Sequence, residues 1–295
     1  MPHTLPEGLG PDFIVRTALR MGVSRRRLQS SDLRAPFHGV RTSGPTQTHL
    51  DRCRAYLPRM RPTQFFSHVS AAIIYRMPVP SHIEETADIH VSVRIPAHPP
   101  QARGVVGHRQ SVGGPLRVRD GFRVPAPAEV WAQLATLLSV EELVVVGDFL
   151  VRRKRPFATV EQLAAVAKYR VPGSRALRRA LARVRRGTDS PMETRVRLAL
   201  VDAGLPEPTI GFVIRDAKGD FIGTPDLAYP AHKIAIEYEG AIHFSDARVY
   251  ADDIVRRELM EEAGWFVIRV ISRDLGVGRG ALVARVRHAL TSRAR

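Results

Sequence analysis

The sequence predicts a mixed α/β protein of the α+β kind, and three observations predict it. Apolar residues spaced for amphipathic helices alternate with short period-two runs, the mark of half-buried strands. In the C-terminal third these segments fall in the order αβββαβ, with one closing helix. One hairpin, FIGTPDLAYPAHKIAIEYEGAIH over residues 221–243, gathers three acids on a single face.

Residues 12–41 begin with a helical pattern at Phe13, Ile14, Ala18 and Leu19, which Gly22 breaks. Ser24 is placed to cap a second helix bearing Arg25, Arg26 and Arg27 in its first turns, and FHGVR reads as a short strand or wing. This spacing suits a winged helix-turn-helix-like region over about 1–80, in which basic residues meet DNA phosphates. A plain helical hairpin with a solvated basic face fits the same residues.

Residues 81–150 form a mixed α/β middle region. From about residue 48, THLDRCRAYLPRM and FFSHVSAAIIYRM read as helices and ADIHVSVRI as a strand. EVWAQLATLLSVEELVVVGDFLV reads as helix, break and buried segment. No metal spacing or nucleophile constellation is visible here: His68, His90, His98 and His108 are scattered and read as structural or surface residues. GVVGHRQSVGG is glycine-rich but follows no phosphate-loop pattern.

Residues 151–187 read as a basic helical connector. Between Arg152 and Arg186 stand twelve Lys and Arg against Glu161 alone. In GSRALRRALARVRR, Ser174 is a plausible N-cap, and Leu177, Ala180, Leu181 and Val184 make an apolar stripe. Arg178, Arg179 and Arg183 are left to the other sides, either as a solvated face or as a grip on a DNA backbone.

Residues 188–295 carry the candidate chemistry. SPMETRVRLALVDAGLPEP reads as a helix with Met192, Val196, Ala199, Leu200 and Ala203 inward and Glu193 at the inward edge. Ser190 and Glu193 also have the spacing of a capping box with Pro191 at the first helical position, which does not exclude a second role in orienting water. IGFVIRDA, FIGTPDLAYP and IAIEYE read as three strands, ARVYADDIVRRELMEEAG as a helix ended by Gly264, and WFVIRVI as a further strand before a last helix from about Gly280.

The hairpin register follows from its turn. If Ala231 and His232 form a two-residue loop, Pro230 faces Lys233 and Asp226 falls opposite Glu237. Alternation then places Glu239 beside Glu237 and turns Ile234, Ile236 and Tyr238 to the other face. Like charges so placed destabilise a sheet unless they take up a proton or a divalent metal, and hard oxygen ligands suit Mg²⁺ or Mn²⁺. Solvated surface acids are the competing reading. Asp253 and Arg256, three apart on a helix, are expected to pair locally or to face a bound strand.

Composition narrows the partners. The net charge is +16 and the pI near 11, which favours a polyanion, DNA first, although an arginine-rich genome also inflates such a count. No apolar run reaches membrane-spanning length, and MPHTLPEGLG lacks the regions of a signal peptide, so a cytoplasmic address and no membrane partner are expected. The single Cys53 excludes an internal disulfide and a cysteine-based zinc knuckle.

TPD ahead of IEYEGxxH, followed by YxxDIxRRxxL and GWxVIRV, resembles the very-short-patch-repair-like branch of the PD-(D/E)XK endonucleases, over about Ser190 to Arg295. FHGVR and VVVGDFLVRR resemble, more loosely, the winged-helix regions of actinobacterial proteins related to abortive-infection type IV antitoxins, which makes a cognate toxin a candidate partner. The first resemblance implies a restriction-endonuclease-like core in which Asp226 and Glu237 carry Mg²⁺ or Mn²⁺ and Glu193 is the helix acid. Glu239 stands where that family places its Lys, and His243 is then the group to exchange a proton with water or the leaving group, unless it is a solvated or core histidine. The implied activity is metal-dependent DNA phosphodiester hydrolysis. The rival is a non-catalytic DNA-binding regulator with a degenerate nuclease domain.

Overall fold

The computed structural model describes residues 4–85, 88–240 and 247–294, with the backbone alone over 247–252. The protein is a mixed α/β chain built of small sheets and helices. Its contacts divide it into two compact units, one of residues 1–146 and 161–182, the other of residues 147–160 and 183–295, so the basic segment 151–187 is shared between them. Among the described residues no helix is long and apolar enough to cross a membrane.

The chain runs through β1 (Asp12–Ile14), α1 (Val15–Arg20), β2 (Val40–Thr42), α2 (His49–Tyr56), β3 (Gln64–Phe66), α3 (His68–Ile74), α4 (Ser81–Glu84), β4 (Ile89–Arg94) and β5 (Val105–Gln110). It continues through β6 (Arg117–Arg119), β7 (Phe122–Val124), α5 (Pro127–Gln133), α6 (Val140–Leu150), α7 (Val160–Ala167) and α8 (Ser174–Leu181). In the first unit β1 pairs with β2, β6 with β7, and β4 lies between antiparallel β3 and parallel β5.

Several sequence expectations change here. The first helical pattern begins one element late, because Phe13 and Ile14 lie on β1, whose partner is the FHGVR strand β2. No second helix forms at Arg25–Arg27: a turn leads into a 3₁₀ segment at Arg27–Gln29, with Ser24 Oγ accepting the Arg27 N–H at 3.2 Å. FFSHVSAAIIYRM is not one helix either. Phe65 and Phe66 belong to β3, and α3 starts at His68, whose φ of +47° breaks the extended run. At α8 the N-cap is Gly173 rather than Ser174, because a Cβ at 173 would lie 2.7 Å from Ala135 Cβ.

The second unit continues through α9 (Pro191–Asp202), β8 (Thr209–Ile210), β9 (Ile214–Arg215), β10 (Phe221–Gly223), β11 (Leu227–Tyr229), β12 (Ile234–Glu239), α10 (Ala247–Glu262), β13 (Phe266–Ile271), α11 (Ser272–Leu275) and α12 (Arg279–Ser292). Its main sheet has the order β13-β12-β11-β8, with β12 and β13 parallel and the other pairs antiparallel. Two strands expected to be continuous are each split. Pro225 has no N–H to donate and separates β10 from β11, and Gly211, at φ +67°, separates β8 from β9.

Both faces of this sheet are covered. Leu227, Tyr229, Ile234 and Ile236 pack with Val196 and Leu200 of α9 and Leu282 and Val286 of α12. Ala228 and Ala235 on the opposite face pack with Met260 of α10 and with Trp265. Each large aliphatic side chain so buried contributes roughly 1.5–3 kcal/mol. The alternation that buries Ile234 and Ile236 against α9 and α12 is what turns Glu237 and Glu239 toward α10.

The buried charges of this unit lie away from the hairpin. Arg197, 1% exposed, donates from Nη2 to Asp148 Oδ2 at 2.8 Å and from Nη1 to Glu207 Oε1 at 2.8 Å. Asp148 also accepts the Thr194 hydroxyl at 3.0 Å and the Arg185 N–H at 2.7 Å. Burial raises the Asp148 carboxyl, and Arg197 opposes that rise. This network joins the end of α6 to α9 and holds α9 in place under the sheet.

Candidate functional site

The β11–β12 hairpin has the register anticipated from its sequence, through a different turn. Leu227 pairs with Ile236, Ala228 with Ala235 and Tyr229 with Ile234, so Asp226 stands one step beyond the ladder, opposite Glu237. The connection is a 3₁₀ turn over Pro230–His232 closed by Lys233 in the left-handed region, φ +48°, rather than a two-residue loop. Its length keeps the pairing sum unchanged, and so the side-chain faces are unchanged too.

Asp226, Glu237 and Glu239 line one cleft of about 170 Å³ with Asp253, Arg256, Arg257 and Arg269. Asp226 Oδ2 accepts the Tyr238 N–H at 2.7 Å. Burial pushes the Asp226 carboxyl up to about 7, helped by the negative charge of Glu193 and, less, of Glu237, while the Tyr238 hydrogen bond and Arg256 oppose the shift. Glu193, 7% exposed, is raised by burial, against hydrogen bonds from the Asp189 N–H and Ser190. Its Oε2 accepts the Asp189 N–H at 2.9 Å and its own N–H donates to Ser190 Oγ at 3.2 Å, so the cap forms with the carboxylate reaching one residue past the N-cap. The same residue therefore caps α9 and adds to the negative potential at Asp226.

The other two acids are balanced by arginine, a cation the sequence reading had not assigned to them. Glu237 Oε1 accepts from Arg256 Nη1 at 2.6 Å, and Arg256 also pairs with Asp253 at 3.2 Å, the local pair expected from their spacing. Glu239 accepts from Arg257 Nη2 at 3.0 Å and from Arg269 of the neighbouring parallel strand. By contrast, no guanidinium is ion-paired with Asp226 or Glu193 among the described residues. His243 lies outside the described residues.

The basic residues singled out in the sequence fare differently. Arg25 and Arg26 are exposed, whereas Arg27 makes a two-pronged pair with Asp32 at 2.9 and 2.8 Å and is mostly covered. Arg178 and Arg179 are exposed on α8, and Arg183 is engaged by Asp202.

Of the four histidines expected to be scattered, three come together while His98 stands outside the group. His68, His90 and His108 place ring nitrogens within 4.8 Å of one another. Parallel pairing sets Ser92 beside His108, so His90 and His108 rise from one face of adjacent strands, and α3 brings His68 over them. The available signal was parity, since His90 on β4 and His108 on β5 share a face only once the strands are paired in this register.

The "uncharacterized protein Rv2248" of Mycobacterium tuberculosis strain H37Rv is 30% identical to this chain over 184 residues, 62% of this chain and 67% of that protein. The "uncharacterized protein MT2308" of strain CDC 1551 matches with the same identity and coverage. The chain belongs to their family. No family model and no solved structure matches it.

Proposed function

We propose that this protein is a divalent-metal-dependent DNA endonuclease that hydrolyses phosphodiester bonds with its C-terminal unit and binds DNA also through its N-terminal region. The observation that carries the reading is Asp226: a partly buried carboxylate with no ion-pair partner among the described residues, in register with Glu237 and within the field of Glu193. Packed carboxylates of this kind fit a hard divalent cation, Mg²⁺ or Mn²⁺, which would offset the burial and the like-charge repulsion that raise the Asp226 carboxyl. Asp226 and Glu237 would hold that ion, which when bound supplies Lewis acidity toward a phosphate oxygen and a lowered pKa for water.

The chain's own groups supply the remaining parts. Glu193 sits at the N-terminus of α9 with one oxygen tied to the Asp189 N–H, leaving the other to orient an attacking water. Glu239 stands where the PD-(D/E)XK family places Lys, and Arg257 and Arg269 bring positive charge back to that place, toward a phosphate. His243 is assigned by the resemblance alone to proton exchange with water or the leaving group. The order α9, β8 to β12, α10, β13, with β12 parallel to β13, is compatible with a restriction-endonuclease-like core. Exposed Arg25, Arg26, Arg178 and Arg179 would contact DNA phosphates and make binding depend on salt.

One observation favours the second reading, a DNA-binding regulator without cleavage: Glu237 already has Arg256 at 2.6 Å, in competition with any metal. A Mg²⁺ or Mn²⁺ titration with supercoiled and linear DNA separates the two. Cleavage that Asp226→Ala abolishes, with salt-dependent DNA binding retained, supports the enzyme. Binding without nicking at every metal concentration supports the regulator.

A further inference from the structure

We propose that His68, His90 and His108 form a binding site for a divalent transition-metal ion, zinc foremost, in the N-terminal unit, separate in place and in chemistry from the acidic hairpin. The geometry comes first. His108 Nε2 and His90 Nδ1 face each other at 3.0 Å, and the His68 ring stacks on His108 with centroids 3.7 Å apart and planes 18° apart. All three residues present a nitrogen within 4.8 Å of the others, so one ion of ordinary Zn–N bond length, about 2.0–2.1 Å, is reachable by small side-chain rotations.

The surroundings enclose the cluster: His90 is 8% exposed, and its ring centroid lies 5.8 Å from that of His68 and 5.0 Å from that of His108. A relay of hydrogen bonds backs His68: Gln110 Nε2 donates to Ser92 Oγ at 3.1 Å, Ser92 Oγ to Ser67 Oγ at 2.6 Å, and Ser67 Oγ lies 3.0 Å from His68 Nδ1. Ser67 engages Nδ1, and in the tautomer with the proton on Nδ1 His68 would offer Nε2 to an ion, the way outer partners fix a ligand's tautomer.

The backbone at His68 is a further, independent observation. Its φ of +47° is a left-handed conformation that a residue with a Cβ adopts at a cost of about 1–2 kcal/mol, and Gln133 Oε1 holds it there by accepting the His68 N–H at 2.8 Å. Strain maintained by a dedicated partner is a mark of a functional position. A cavity of about 300 Å³ opens beside His68 and His108, bordered by Gln110, Glu129, Gln133 and Tyr169. Three imidazoles with a free side suit a site that keeps a fourth position for water or a small ligand, and nitrogen donors select Zn²⁺, Co²⁺ or Ni²⁺ over Mg²⁺.

The test uses the full chain, stripped with chelator, and titrates Co²⁺ while following its visible ligand-field absorption, then displaces it with Zn²⁺. One equivalent of Co²⁺, displaced by Zn²⁺ and unaffected by excess Mg²⁺, is expected. His68→Gln and His108→Gln should weaken binding by at least the roughly 10–100-fold that loss of an outer-shell partner costs, Gln110→Ala by roughly tenfold, and His82→Gln, at an exposed histidine, not at all. Wild-type protein that develops no absorption overturns the site whatever the variants do. Folded His68→Gln and His108→Gln proteins that bind as tightly as wild type overturn it equally.

Discussion

Asp226 and Glu237 stand opposite each other in the hairpin register, yet each carboxylate has a different partner: Asp226 takes the Tyr238 N–H at 2.7 Å and Glu237 takes Arg256 Nη1 at 2.6 Å. One acid is held by a neutral donor and the other by a cation. Burial, with the negative charges of Glu193 and Glu237 added to it, is what raises the Asp226 carboxyl, against the Tyr238 hydrogen bond and Arg256.

Because the folded-state pKa of Asp226, about 7, lies above its ordinary 3.8, its contribution to stability is fully present below about pH 3.8 and is lost as pH rises through 7. Asp226→Asn keeps an acceptor for Tyr238 without the charge. It should therefore stabilise the protein at pH 8 by about 2–4 kcal/mol in the absence of divalent metal, and by much less at pH 5. Urea denaturation at the two pH values reads the difference; an Asn variant less stable than wild type at pH 8 contradicts the assignment.

Under the proposed metal reading, Arg256, which pairs with Glu237, would compete with the ion for that carboxylate. Arg256→Ala should therefore tighten Mn²⁺ binding several-fold while Asp226→Asn weakens it, as measured by Mn²⁺ electron paramagnetic resonance. Weaker Mn²⁺ binding in Arg256→Ala would mean that Arg256 organises the site instead of competing for it.

Removing one member of the Arg197–Asp148 pair leaves an uncompensated charge in the core. Arg197→Ala should cost about 3–5 kcal/mol, seen as a fall in the urea midpoint, far more than loss of the exposed Arg179.

Gly173 combines φ +82° with a Cβ position 2.7 Å from Ala135. Gly173→Ala should lower stability by about 2 kcal/mol or more, through strain and overpacking together, and a drop in thermal midpoint measures it.

DNA affinity supplies the last prediction. If Arg178 and Arg179 each neutralise a phosphate, the double alanine variant should reduce the slope of log K against log salt by roughly 2. Arg27→Ala should leave that slope alone and act on stability, because its guanidinium is bound to Asp32.

The periods of the chain alone determined its mixed α/β class, the extents of β12 and β13, the starts of α9 and α12, the inward turn of Ile234 and Ile236, and the facing of Asp226 and Glu237. These are local consequences of 3.6-residue and two-residue repeats and of a turn whose length sets register, so they are legible without any long-range contact. Proline and glycine signals were equally present at Pro225 and Gly211, but whether they bend a strand or end it depends on the ladder available on either side.

What only the tertiary structure decided was pairing between residues distant along the chain. Arg256, Arg257 and Arg269 neutralise Glu237 and Glu239 because β12, α10 and β13 fold back on one another, and no spacing encodes that. His68, His90 and His108 meet because β4 and β5 run parallel in one particular register and α3 starts beneath a strained backbone. Side-chain chemistry is written locally, but the electrostatic environment that gives a carboxylate or an imidazole its function is assembled from chain segments that only folding brings together.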